Sequence, residues 1–221
     1  MTRILIYSRN LRFWHASAVD GARAFRELGE RHGFTADATE DPAAFRPDAL
    51  RRYAAVVFLS TGGDVLDEAG QDALRAHLTA GHGWLGVHAA STTAYDWPWF
   101  EGLVGARFAG HPPIQTAPVR VADPGHPATA HLPARWEWTD EWYDFRSDPR
   151  ENGARVLLTV DEADYRGATM GRGPAHPLAW CGEHDGAPTF YTSLGHSPEA
   201  YADPAFRTHL LGGLRHLGIS P

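Results

Sequence analysis

The chain has a single cysteine and no lysine. Cys181 alone forms no internal disulfide and rules out a cysteine-rich zinc site. All 20 basic residues are arginine, so Schiff-base catalysis and a lysine-dependent phosphate loop have no residue to use. No apolar run reaches the roughly 18 residues of a membrane-spanning helix. The apolar stretch at 4–7 is too short for a secretory leader, so a cytoplasmic location is expected. A formal net charge of −7 gives no electrostatic support to nucleic-acid binding. The catalytic words Gly-x-Ser-x-Gly and His-Glu-x-x-His are also missing.

What remains is an ordinary α/β composition with an unusual aromatic and imidazole content. At 221 residues and 43% hydrophobic, the chain can bury one full core, and 1–221 reads as a single domain. It carries 13 His and 8 Trp, a mixture that suits a wet, aromatic-lined site such as one for carbohydrate. Buried strands are predicted at 3–7, 53–59 and 84–87, with helices at 18–32 and 67–80 between them. Asp67 is the expected N-cap, and Gly33 and Gly81 the helix stops. Further strands are expected at 118–121, 155–160, 178–181 and 189–193, and a last helix at 204–217. The segments 95–99, 110–113 and 123–142 read as irregular. The alternation predicts an open, mostly parallel sheet with helices on both faces, a flavodoxin-like arrangement.

The segment 81–90, Gly-His-Gly-Trp-Leu-Gly-Val-His-Ala-Ala, is the most informative. It reads as a buried strand running into a sharp turn with His88 at its tip. In many α/β enzymes that spot displays a Ser or Cys nucleophile. An imidazole there suits proton transfer, metal binding or substrate recognition instead. Ligands of parallel sheets bind beyond the carboxyl ends of the strands. His15 follows the first strand, Gly62, Gly63 and Asp64 the second, His88 the third, and His196 the strand at 189–193. Each has a plain structural alternative, such as a His satisfied by backbone groups or a glycine pair that only turns the chain.

Other candidates come from the middle of the chain. Asp140 and Glu141 lie between Trp138 and Trp142, where acids can accept hydroxyl bonds while an indole covers a sugar face. His111 precedes Pro112 and Pro113, which stiffen its loop. Trp97, beside Tyr95, Asp96 and Trp99, fits an aromatic wall or a core. His176, ahead of Pro177, reads as structural. His88, His196 and Glu141 are taken as the catalytic candidates. His15, Gly62, Gly63, Asp64, Trp97, His111 and Asp140 are taken as substrate-binding candidates. A divalent metal such as zinc has its ligand types in His15, His88, His111, Glu141 and His196, drawn from separate loops.

The words Gly86-Val87-His88-Ala89-Ala90, Tyr95-Asp96-Trp97-Pro98-Trp99, His111-Pro112, Asp140-Glu141-Trp142-Tyr143, His176-Pro177-Leu178-Ala179-Trp180 and Gly195-His196 occur in this order. Together they resemble the ThuA-like (trehalose utilisation) family over nearly the whole chain. The resemblance implies a class I glutamine-amidotransferase-like fold. It also implies use of trehalose or a related disaccharide, beside an oxidoreductase that makes 3-keto sugars. In the wider amidotransferase comparison His88 stands where the Cys should be. Ser60-Thr61-Gly62-Gly63 resembles the oxyanion loop, and His196-Ser197-Pro198-Glu199 resembles the late His-Pro-Glu with one residue inserted. Without the Cys, thioester glutaminase chemistry is rejected; Cys181, in an apolar strand-like run, reads as a structural thiol. The expected protein hydrolyses or isomerises an oxidised glycoside, with His88 and His196 as acid–base pair and Asp64 or Glu199 orienting an imidazole. The alternative is a non-catalytic carbohydrate- or partner-binding module on a degenerate amidotransferase fold. The expected partner is a small carbohydrate, with a homo-oligomer left open and neither nucleic acid nor membrane.

Overall fold

Short apolar strands alternate with helices along the chain, and in the computed structural model, which describes residues 2–219, they assemble as one large sheet. The strands are β1 (Thr2–Tyr7), β2 (Phe34–Thr39), β3 (Ala55–Leu59), β4 (Gly62–Gly63), β5 (Gly83–Val87), β6 (Thr92–Thr93), β7 (Phe108–Gly110), β8 (Gln115–Val121), β9 (Arg135–Asp140), β10 (Asp144–Phe145), β11 (Arg155–Val160), β12 (His176–His184) and β13 (Ala187–Thr192). The helices are α1 (Ser17–His32), α2 (Pro47–Leu50), α3 (Glu68–Thr79), α4 (Pro98–Val104) and α5 (Pro204–His216). The nine-stranded sheet has the order β2-β1-β3-β5-β13-β12-β11-β8-β9. Pairing is parallel from β2 to β13 and antiparallel from there to β9. Seven of the nine strands point the same way, so the sheet is mostly parallel, as predicted.

Strand alternation sorts the core into two layers. Ile4, Ile6, Val57 and Leu59 face α1 and α5, while Leu5, Tyr7, Val56 and Phe58 face α3 and α4. Helix α1 buries Ala22, Phe25 and Leu28 at the predicted spacing and stops at Gly33, which has φ 76° and donates its N–H to the Gly29 carbonyl. Burying a side chain such as Phe25 contributes about 1.5–3 kcal/mol. Asp67 caps α3 by accepting from the Gly70 N–H at 2.8 Å. No described helix is long and apolar enough to cross a membrane.

Several elements fall where no regular structure was expected, and three of them are longer or bear on the site. β2 (Phe34–Thr39) is polar because it is an edge strand with one neighbour. β9 is the other edge; it buries Trp136, Trp138 and Asp140 and exposes Arg135, Glu137 and Thr139. That period of two was legible, but the surrounding Pro and His obscured it. α4 starts at Pro98, inside the Trp-rich word read as a loop.

Candidate active site

β5 ends in a turn that has the predicted shape. His88 has φ 54°, a left-handed conformation that a side chain rarely adopts. The surroundings fix it there: the Tyr191 hydroxyl donates to the His88 carbonyl at 2.7 Å. The imidazole itself is fully buried. Its Nδ1–H donates to the Ser193 carbonyl at 2.8 Å, which leaves Nε2 as the acceptor. The Tyr143 hydroxyl donates to that Nε2, also at 2.8 Å. His88 therefore lies beneath the site, held from behind by β13 and covered in front by Tyr143.

Around its Nε2 the predicted groups from three other segments gather. His196 Nδ1 is 3.3 Å from it. Glu141 Oε2 is 3.5 Å from it and 3.2 Å from His196 Nδ1. His111 Nε2 is 3.5 Å from the other Glu141 oxygen, and its Nδ1–H donates to the Pro112 carbonyl at 2.8 Å. The His15 ring packs edge-on against His88, with centroids 4.9 Å apart. Ligating atoms of His15, His88 and His196 all lie within 4.8 Å of one another, and the buried His15 Nδ1 has no hydrogen-bond partner. A cavity of about 490 Å³ opens over this cluster. Glu141, His196, His111, His15 and Tyr143 line it, with Phe13, Trp14 and Phe108 as aromatic walls.

The electrostatics follow from the packing. Donation of the His196 Nδ1–H to Glu141 raises the His196 pKa against the opposing effect of burial. For Glu141, burial pushes the carboxyl up, but the hydrogen bond from His196 and the close His88 ring outweigh it and hold the group well below the usual carboxylate range. Burial, with the nearby His88 and His196, lowers His15 to about 4. Burial raises the Tyr143 phenol well above its ordinary value. The centre thus combines a carboxylate of lowered pKa, an imidazole of raised pKa and an imidazole of lowered pKa around one cavity, a set suited to moving protons.

Asp140 is part of the architecture beneath the cavity. It is 2% exposed and accepts four hydrogen bonds: from Trp138 Nε1 and the Gly195 N–H on Oδ2, and from the Glu141 and His196 N–H groups on Oδ1. It thereby ties the backbones of Glu141 and His196 together. Gly62 and Gly63 pair with Thr92 and Thr93, and the Gly62 carbonyl accepts from the Leu11 N–H at 2.9 Å. A Cβ on Gly62 would lie 2.7 Å from Thr92 Oγ1, so the close approach requires glycine. This seam holds the 9–16 loop, which carries His15. Asp64 is exposed and lines none of the cavities described here. Trp97 stacks on Trp99 at 4.8 Å and belongs to the core beside α4, apart from the cavity.

Tyr143, Phe13, Trp14 and Phe108 line the cavity without having been singled out. Tyr143 stood inside a recognised word; what the sequence could not reveal is that β10 brings its hydroxyl onto His88. His176 is structural: buried, it donates Nε2–H to the Tyr143 carbonyl at 2.9 Å and meets Glu162 through Nδ1. A second cluster, His126, Cys181 and His216, lies elsewhere. There His126 Nδ1 accepts from the Ala128 N–H, so its Nε2 carries the proton and faces His216 Nδ1 at 3.3 Å. That pairing uses the lone pairs a metal would need. Burial raises the Cys181 thiol, in keeping with a structural cysteine.

The comparisons agree with this architecture. The ThuA family, described as trehalose utilisation, matches residues 3–217. A ThuA-like protein from Bacteroides uniformis superposes with a TM-score of 0.81 at 25% identity, covering 98% of this chain and 91% of that one. A second, from Parabacteroides merdae, gives 0.77 at 21% identity, covering 99% and 91%. The cytoplasmic protein STM3548 of Salmonella typhimurium shares the fold at 0.65 and 13% identity, covering 98% and 99%. No curated protein matches the chain. The fold resembles the class I glutamine-amidotransferase type, with a buried imidazole at the turn after β5. With one family spanning nearly the whole sequence and ThuA-like proteins among its structural neighbours, the chain belongs to the ThuA (trehalose utilisation) family.

Proposed function

We propose that this protein is an enzyme of sugar catabolism that hydrolyses or isomerises a trehalose-type glycoside whose ring carries a ketone, such as a 3-keto glycoside. The observation that carries the reading is the meeting of His88, Glu141 and His196 under one aromatic-walled cavity. A ketone acidifies the neighbouring C–H; a base takes that proton, and a donor must hold the enolate oxygen. Both outcomes begin with this step. Return of the proton at another carbon completes an isomerisation. Loss of the glycosidic oxygen as an alcohol, then addition of water, completes a hydrolysis. His196, whose proton Glu141 stabilises, suits the donor. Glu141 is placed to be the acceptor: its basicity is low while His196 donates to it and rises when that N–H turns to the enolate oxygen; buried His88 orients both from below. The Gly62–Gly63 seam is engaged in backbone pairing, which favours side chains over a backbone oxyanion hole.

A divalent ion such as zinc on the same groups is a second reading, favoured by the unpartnered Nδ1 of His15. His88 Nε2, His196 Nδ1 and Glu141 Oε2 are separated by 3.2–3.5 Å, close to the roughly 3.3 Å edge of a tetrahedron around zinc, and an ion there would replace the Tyr143 hydroxyl on the Nε2 lone pair. The bond from His88 Nδ1–H to Ser193 is the kind of outer contact that steadies a metal-bound imidazole. Such an ion would polarise the ketone and stabilise the enolate.

The test pairs elemental analysis of the purified protein with turnover of 3-keto-trehalose by the wild type, His88→Ala and Glu141→Gln. Loss of turnover in folded variants supports the enzyme. About one equivalent of metal, lost with His88, supports the ion. Sugar-induced stabilisation without product would make the protein a binding module.

A further inference from the structure

A second cavity adjoins the first, and the two share a wall. It measures about 360 Å³, and Trp14 and His15 line both. It sits over the carboxyl ends of β1 and β3, where the chain leaves β1 for β2 on one side and returns to β3 on the other. Such switch points are where open α/β sheets bind ligands.

Three features mark this cavity as a built site. Trp14 is 79% exposed and Val19, on its rim, is 65% exposed, although large apolar side chains on a surface lose free energy to water unless something covers them. Ser60, at the end of β3, has φ 50° and is 1% exposed; its hydroxyl makes no hydrogen bond of normal geometry and lies beside the Tyr201 hydroxyl. Arg26 on α1 and Glu40 after β2 line the same cavity, and among the described residues neither has an ion-pair or hydrogen-bond partner. An indole face with a free guanidinium and a free carboxylate is a recognition set for a pyranose: the ring stacks, and neighbouring hydroxyls both donate and accept.

We propose that this cavity is a second sugar subsite. The reacting ring occupies the cavity over Glu141 and His196, the second ring sits against Arg26, Glu40 and Trp14, and the linking oxygen crosses the wall at His15. Arg26 and Glu40 are then the determinants of the second ring of the trehalose-type glycoside. Each cavity alone lies toward the small end of the roughly 300–1,000 Å³ range of ligand pockets. This inference rests on the sugar-acting reading of the first cavity.

The test is calorimetric titration of the intact protein with trehalose and with glucose, for the wild type, Arg26→Ala and Glu40→Gln. The wild type is expected to bind trehalose at least tenfold more tightly than glucose. Each variant is expected to lose about tenfold toward trehalose and to keep its glucose affinity, a pattern that a folding defect would not produce. Equal wild-type affinity for both sugars, or variants that weaken both alike, overturns the subsite and leaves the first cavity's reading standing. A wild type that binds neither sugar, nor turns over 3-keto-trehalose, overturns both.

Discussion

Replacing Asp140 with Asn keeps the shape and removes half of its hydrogen-bond capacity. Four N–H groups converge on this carboxylate, two on each oxygen. An Asn offers one oxygen, so its amide NH2 must face two backbone or indole donors. With 2% of the residue exposed, water cannot replace the lost acceptor. Each hydrogen bond to a charged group is worth about 1.5–3 kcal/mol, so two lost bonds cost about 3–6 kcal/mol. Total stability for such a domain is about 5–15 kcal/mol. The expected result is a Tm lowered by roughly 6–24 °C, measured by circular dichroism, with a matching fall in the urea midpoint. Tryptophan fluorescence reports the same site, because Trp138 donates to Asp140 at 2.9 Å. Asp64→Asn is the control: exposed and outside the cavities, it should change stability by no more than about 0.5 kcal/mol. An Asp140→Asn protein within about 1 kcal/mol of wild type would refute the reasoning that this carboxylate ties Glu141 to His196.

Other outcomes follow from single contacts. Tyr143→Phe deprives the buried His88 Nε2 of its 2.8 Å donor, and should cost about 1–3 kcal/mol in urea unfolding and lower turnover without unfolding the protein. Gly62→Ala places a Cβ 2.7 Å from Thr92 Oγ1 and 2.9 Å from Asn10 Nδ2, and should cost about 1–3 kcal/mol by thermal melt while loosening the His15 loop. Acid should destabilise the fold through its buried neutral imidazoles. Burial lowers His209 to about 4, while in the unfolded chain it titrates near 6.5. Between those values the unfolded state takes up a proton that the folded state refuses, so stability present above pH ~6.5 is lost as pH falls toward ~4, by up to about 3 kcal/mol. His77 and His126 are lowered to about 4 by burial in the same way. Urea unfolding at pH 7 and pH 4.5 checks this, and equal stability at both would contradict it.

Much of the fold was legible because burial on both sides leaves a plain trace. β1, β3 and β5 are central strands, covered on two faces, so they read as unbroken apolar runs, and the helices between them show one apolar face each. The edges were harder: β2 contacts one strand and needs few apolar residues. The turn at His88 was also readable, since a buried strand that meets a polar residue and then small ones has few other ways to turn.

Residue types and their order set the chemistry on offer: no lysine, one cysteine, and imidazoles and a carboxylate at the ends of strands. Which of these groups meet was decided by tertiary packing, because the partners of His88 Nε2 come from positions 141, 143 and 196. Exposure was decided there too. His88 is buried under Tyr143, Trp97 went into the core and Asp140 became a backbone tie, while Trp14 stayed in the open between two cavities. Spacing along a chain fixes period and face; distance across a sheet, and the direction in which a ring nitrogen points, depend on elements that the chain brings together only when it folds.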